Sequence, residues 1–336
     1  MVTLSDATRD VARVLAPVVP SVEPDAPRQY DIDVDQVYRV AAVNHVGLQF
    51  ASLVEADSEQ MAEVVTRKRR QLRTAASTFA DVEQRAREDG VEIVSIKSFL
   101  EYEYVDDDLD CVVGTGTIED CRPVLEAAGF SEVGRRVREP RKTKFVRDTD
   151  DLQIHLHETV SWNRVEYIGA ADLAARARTL DVMGASVSVP HPVDEAAIHV
   201  LHSVFENKCI TFSEVLQILL LREHYGVQWD TIRHRVEQVA VGSCYAAFLR
   251  RFNWILHEFF KSDIADDRYR VDTPADSILP TFLDLGQFTK IALAKVARDF
   301  RRMDLYGLVD DCYAYPLDVL LYHKLRRQTR GRLVHS

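Results

Sequence analysis

The chain has 336 residues, of which 46% are hydrophobic and 28% charged, and its formal net charge is −11. Length and composition describe a globular protein of about two domains, and the negative charge excludes a global pull toward nucleic acid or an anionic membrane surface. The longest apolar run surrounds Leu219-Leu-Leu221 and falls far short of the roughly 20 residues of a bilayer span, so no membrane partner is expected.

Residues 1–32 hold a short amphipathic piece followed by Pro17, Pro20, Pro24 and Pro27, which predicts a flexible lead-in. The opening Met1-Val-Thr-Leu-Ser-Asp-Ala7 lacks the basic and apolar regions of a secretory signal. Residues 33–90 form a helical layer. Val37, Val40, Ala41, His45 and Leu48 keep helical spacing from Asp33 to about Glu55. Asp57 or Ser58 then caps a long helix to about Arg87, which Asp89-Gly90 stops.

From Val91 the apolar period becomes two, giving strands at Val91–Ile96, Leu109–Val113 and Leu152–Leu156, with a helix over Ile118–Ala128 closed by Gly129. Past Pro190 and Pro192 the helical period returns over Asp194–Glu206, Thr211–Tyr225, Trp229–Val239, Cys244–Phe260 and Ile278–Tyr306. The expected fold class is α+β: a small α/β core over 91–190 between an N-terminal helical layer and a C-terminal helical domain over 191–336. The five cysteines, Cys111, Cys121, Cys209, Cys244 and Cys312, contain no Cys-x-x-Cys pair. They read as reduced thiols in a cytoplasmic protein.

The chemistry concentrates at Asp108-Leu-Asp110, at the head of an apolar strand. Residues i and i+2 of a strand share a face, so the two like charges need a cation, a hydrogen-bond network or open solvent. On the later strand Leu152-Gln-Ile-His-Leu-His-Glu158, alternation puts Gln153, His155 and His157 on one face and Leu152, Ile154, Leu156 and Glu158 on the other. His155 and His157 are therefore placed to meet Asp108 and Asp110.

Between these strands, residues 135–147 include seven basic side chains in thirteen, Lys142 and Lys144 among them. Such a reversal in an acidic chain suits steering of a nucleotide or polyanion, or a solvated hairpin. Lys97 ends a strand and reads either as a phosphate contact or as a solvated strand-end lysine. His199, His202 and Glu206 have helical spacing, more simply packed side chains than ligands. The basic tail Lys324–Arg332 is only a weak signal for nucleic acid. No P-loop, dinucleotide fingerprint, hydrolase elbow or His-Glu-x-x-His motif occurs.

Taken in order, these motifs resemble an uncharacterised nucleotidyltransferase family with the DNA polymerase beta-like nucleotidyltransferase fold. Ser95-Ile-Lys-Ser98 stands for its Leu-Lys-Gly, Asp108-Leu-Asp-Cys-Val-Val113 for its Asp-Ile-Asp strand and Leu125–Phe130 for its Leu-x-x-Leu-Gly-Tyr. Ile154-His-Leu-His-Glu158 stands for its Asp-Leu-His strand. Ala41–Val46, Asp194–His202 and Gly226–Asp230 match its helical flanks, so the resemblance spans roughly 38–260.

The resemblance implies a mixed-sheet core and transfer of a nucleoside monophosphate from a nucleoside triphosphate, with release of pyrophosphate. It implies Mg2+ or Mn2+ on Asp108 and Asp110, completion of the site by His155 or His157, and phosphate contacts from Lys97, Ser98, Lys142 and Lys144. The acceptor stays open: a sugar phosphate, a glycan precursor, an RNA end or a protein. Two positions depart from the pattern. Ser98 replaces glycine, which narrows the room near a phosphate, and His155 replaces a third carboxylate, which suits magnesium poorly. The second departure supports an alternative: a catalytically inactive nucleotidyltransferase fold serving as a nucleotide sensor or interaction partner.

Overall fold

The computed structural model describes residues 4–20, 33–133, 142–162, 165–207, 209–239, 243–262 and 281–282. The chain divides into two compact units, Met1–Val64 with His199–Ser336, and Val65–Ile198. The described residues form ten α-helices and a five-stranded mixed sheet, an α+β protein.

Leu4–Leu15 (α1) is the amphipathic piece of the lead-in, and it buries Ala7, Val11, Ala12 and Leu15 as one helical face. The single helix expected from Asp33 to Glu55 is instead two, Val34–Val43 (α2) and Gly47–Val54 (α3). Asn44 causes the break. Its side-chain amide donates back to the Val40 carbonyl at 2.9 Å, and its own carbonyl accepts from Ser213 N–H at 3.2 Å. His45 then turns left-handed at φ 57°. Side chains that serve their own backbone compete with helix continuation, and apolar spacing cannot register this because it persists through the break.

Glu59–Glu88 (α4) starts after Ser58, whose hydroxyl accepts from Met61 N–H at 3.4 Å. It stops at Gly90, where φ of 81° suits a residue without Cβ.

The sheet comprises Glu92–Ser95 (β1), Leu109–Thr115 (β2), Ser131–Val133 (β3), Lys142–Arg147 (β4) and Leu152–His157 (β5), in the order β1-β2-β5-β4-β3. Strands β2 and β5 run parallel, and the other neighbours pair antiparallel. Ile118–Ala127 (α5) follows β2 behind a Thr117–Asp120 capping box.

One face of the sheet is apolar. Ile93, Leu109, Cys111, Val113, Phe145, Ile154 and Leu156 join Leu72, Ala76, Phe79, Val82 and Ala86 of α4 and Ile118, Val124 and Leu125 of α5 in a single core. The period of two then puts Asp110, His155, His157, Lys142 and Lys144 on the opposite face.

Strands β3 and β4, the pairs Val160–Trp162 (β6) with Val165–Ile168 (β7) and Arg178–Val182 (β8) with Ala185–Val189 (β9), and helix Ala170–Ala175 (α6) add to the expected elements. Strand β4 is half charged and is defined by its pairing, whereas β9, Ala-Ser-Val-Ser-Val, alternates and buries Val187 and Val189, a signal that sequence reasoning missed. Residues 135–141 of the basic stretch lie outside the described residues. The remaining part of that stretch is β4, an inner strand between β5 and β3. Helix α6 packs on β2 at Gly114, where an added Cβ would come within 2.1 Å of the Ala174 Cβ. Buried Glu83 of α4 accepts from the Ser188 amide at 2.9 Å and its hydroxyl at 2.6 Å, tying the β8–β9 hairpin to that helix.

Pro192–His202 (α7) ends in a wider π-type turn over Ser203–Asn207, so the α-helix expected to Glu206 closes early. Cys209–Ile210 (β10), Phe212–Tyr225 (α8), Trp229–Val239 (α9) and Ser243–Phe260 (α10) follow, and β10 pairs with Thr281–Phe282 (β11). A Thr211–Glu214 capping box opens α8, and Phe212 meets Phe259 and Phe260 edge to face. The helix expected over Ile278–Tyr306 lies almost wholly outside the described residues, as do the basic tail and Cys312.

Candidate metal centre

Parallel pairing of β2 with β5 sets Asp110 beside His155 and Val112 beside His157. On the other side of β5, Lys142 pairs with His157 and Lys144 with His155. The polar face of the sheet thus brings together residues nearly fifty positions apart. The His155 Nδ1 atom lies 3.0 Å from Asp108 Oδ2 and 3.7 Å from Asp110 Oδ1. His157 Nε2 shares a hydrogen bond of 2.7 Å with Asp110 Oδ1. Asp108, Asp110 and His155 each present one ligand atom, and the three lie within 4.8 Å of one another, the one such cluster among the described residues.

Two ammonium groups offset the carboxylates. Lys97 Nζ is 3.0 Å from Asp110 Oδ2, and Lys142 Nζ is 3.7 Å from Asp110 Oδ1. Burial by itself raises the Asp110 pKa, but Lys97, then His155 and His157, outweigh it and hold the group well below the usual carboxylate range. For His155, burial lowers the pKa and the Asp108 and Asp110 carboxylates reverse this, leaving it raised.

Residue 97 owes its aim to the turn leaving β1. The Ile96 amide donates to the Asp110 carbonyl at 2.8 Å. The Ser98 hydroxyl accepts from the Asp110 amide at 2.9 Å and donates to the Ile96 carbonyl at 3.2 Å. Between these ties Lys97 adopts φ of 64°, a left-handed conformation that costs a non-glycine residue about 1 kcal/mol or more. The strain therefore falls on Lys97 and not on Ser98. Ser98 is 2% exposed and spends its hydroxyl on backbone groups, so its contribution is to brace Asp110 from behind.

Lys144 pairs across the sheet with His155 but makes no ion pair with either aspartate among the described residues. Asp107 is exposed. His199 is buried at 5% exposure, and His202 Nε2 pairs with Glu206 Oε2 at 3.0 Å. Cys111 and Cys121 belong to the apolar core, and burial pushes the Cys121 thiol up to about 12. Neither has thiolate character at neutral pH. A cavity of ≈ 440 Å³ lined by Thr78, Asp81, Arg85, Gly129 and Arg147 lies at a different place. Its Arg147 is committed to Asp150 and Thr78.

Sequence reasoning missed the support of the segment after Ser98. Arg178 of β8 bridges Glu101 and Glu195, both nearly buried. Its partners are 77 and 17 residues away, and no local pattern links them.

The donor set fits a divalent cation. Two carboxylates supply hard oxygen ligands, and the His155 Nδ1 atom faces both of them, at 3.0 Å and 3.7 Å.

The mixed sheet thus carries Asp110 on one strand with Asp108 just before it, and a histidine pair on the parallel neighbour. Residues 107–257, just under half of the chain, match a family model described as uncharacterised nucleotidyltransferase. That segment carries β2, β5 and both aspartates. No curated protein matches the chain. No described helix is long and apolar enough to cross a membrane.

Proposed function

We propose that the protein is a cytoplasmic, divalent-metal-dependent nucleotidyltransferase that moves a nucleoside monophosphate from a nucleoside triphosphate to an acceptor and releases pyrophosphate. The observation that carries the reading is the convergence of Asp108, Asp110 and His155 within 4.8 Å, inside the family-matched segment. A bound Mg2+ or Mn2+ would neutralise phosphate charge and, by polarising a phosphoryl oxygen, make the phosphorus more open to attack.

The remaining work falls to the chain. Asp108, Asp110 and His155 hold the ion. His157 fixes the orientation of the Asp110 carboxylate through their hydrogen bond. Lys97 and Lys142 offer ammonium groups to the triphosphate, and Lys144 extends the positive edge along β4. The acceptor is a sugar phosphate, a glycan precursor, an RNA end or a protein side chain.

The test is incubation with labelled nucleoside triphosphates and Mg2+ or Mn2+, followed by pyrophosphate release. Asp108→Ala and Asp110→Ala are each expected to lower the rate by about a hundredfold or more, the scale of losing a key electrostatic group. A rate unchanged by both would remove the site. A second reading, a silent nucleotidyltransferase fold that senses nucleotide, is favoured by the imidazole in place of a third carboxylate. Nucleotide binding without turnover, with either metal, would select it.

A further inference from the structure

Asp110 is the most heavily engaged of the site's acids. Lys97 Nζ sits 3.0 Å from one of its oxygens, and His157 Nε2 at 2.7 Å and Lys142 Nζ at 3.7 Å lie against the other. A divalent ion needs the same lone pairs, so an ion approaching alone must first displace an ammonium group. A triphosphate brings several negative charges that compete for that ammonium group. Lys97 is also held in a left-handed conformation between two ties to Asp110, from the Ile96 amide to its carbonyl and from its amide to the Ser98 hydroxyl, and such outliers concentrate at sites where geometry is imposed for function.

Resting on the metal-site reading above, we propose that Lys97 couples metal binding to nucleotide binding: it is the counter-ion of Asp110 while the donor is absent and passes to the donor phosphates when they arrive, releasing Asp110 to the metal. The lysine thereby opposes capture of a free cation and favours the metal–nucleotide complex.

The deciding measurement is Mn2+ binding to the full chain without nucleotide, by electron paramagnetic resonance or calorimetry. Nucleotide itself ligates Mn2+ and would tighten any metal site. Lys97→Met, which keeps side-chain length and loses charge, is expected to bind Mn2+ about tenfold more tightly than wild type, within the usual range of coupling between sites. Lys97→Arg is expected to restore the wild-type value. Lys144→Met, which removes a neighbouring charge that makes no ion pair with Asp110 among the described residues, is expected to have a smaller effect.

A nonhydrolysable triphosphate analogue is then expected to tighten Mn2+ binding more in wild type than in Lys97→Met. By reciprocity Mn2+ must tighten the analogue by the same factor. Equal Mn2+ affinity in wild type and Lys97→Met, or an equal gain from Lys144→Met, would overturn the coupling and leave the metal site standing. Failure of wild type and every variant to bind Mn2+, with or without the analogue and with a native thermal melt, would overturn the metal site and the coupling together.

Discussion

Ser98 ties the turn after β1 to the strand that carries Asp110. Its hydroxyl closes the gap between the end of β1 and the start of β2, bonding the Ile96 carbonyl and the Asp110 amide. Ser98→Ala leaves that buried amide without a partner. It is expected to destabilise the protein by about 1–3 kcal/mol, read as a lower denaturation midpoint at unchanged slope. Ser98→Gly is expected to lose the same bond. The sequence marked Ser98 as a departure from the pattern, but its hydrogen-bond partners depend on a strand pairing that adjacent residues do not encode.

At the scale of elements, the site stands on β2, and β2 is held from both sides. Its apolar residues enter the core with α4 and α5, while Gly114 admits α6 against the other face. Gly114→Ala is expected to cost about 1–3 kcal/mol by overpacking, because the new methyl meets the Ala174 methyl at 2.1 Å. Adding Ala174→Gly is expected to recover part of that loss, offset by about 1 kcal/mol for glycine in a helix. Additive losses in this double-mutant cycle would refute the contact. Both aspartates and both histidines were legible, since alternation alone separates their face from the apolar one. Strand β4 was not, because Lys-Thr-Lys-Phe-Val-Arg looks like a solvated stretch until its pairing with β5 is known.

For the molecule as a whole, the family-matched segment and the folding unit do not coincide. The match covers 107–257, whereas the core beneath the site draws on α4 and β1 from Leu72 onward. A fragment of residues 59–202, which includes all of α4 and α7, is expected to melt cooperatively with native-like circular dichroism. A fragment cut to 107–257 lacks the Phe79 stripe, β1, Lys97 and Ser98, and is expected to be unfolded. A cooperative melt of the shorter piece would show that α4 is dispensable to the core.

The sequence by itself determined the α+β class, most of the longer helices and the face on which Asp108, Asp110, His155 and His157 stand, because each of these follows from local periodicity. Tertiary structure decided the contact of Ser213 with the Asn44 carbonyl at the helix break, the strained turn at Lys97, and the pairing of Lys97 and Lys142 with Asp110. These depend on groups brought together from distant parts of the chain, and their energies of desolvation and charge pairing exist only once those groups are buried side by side.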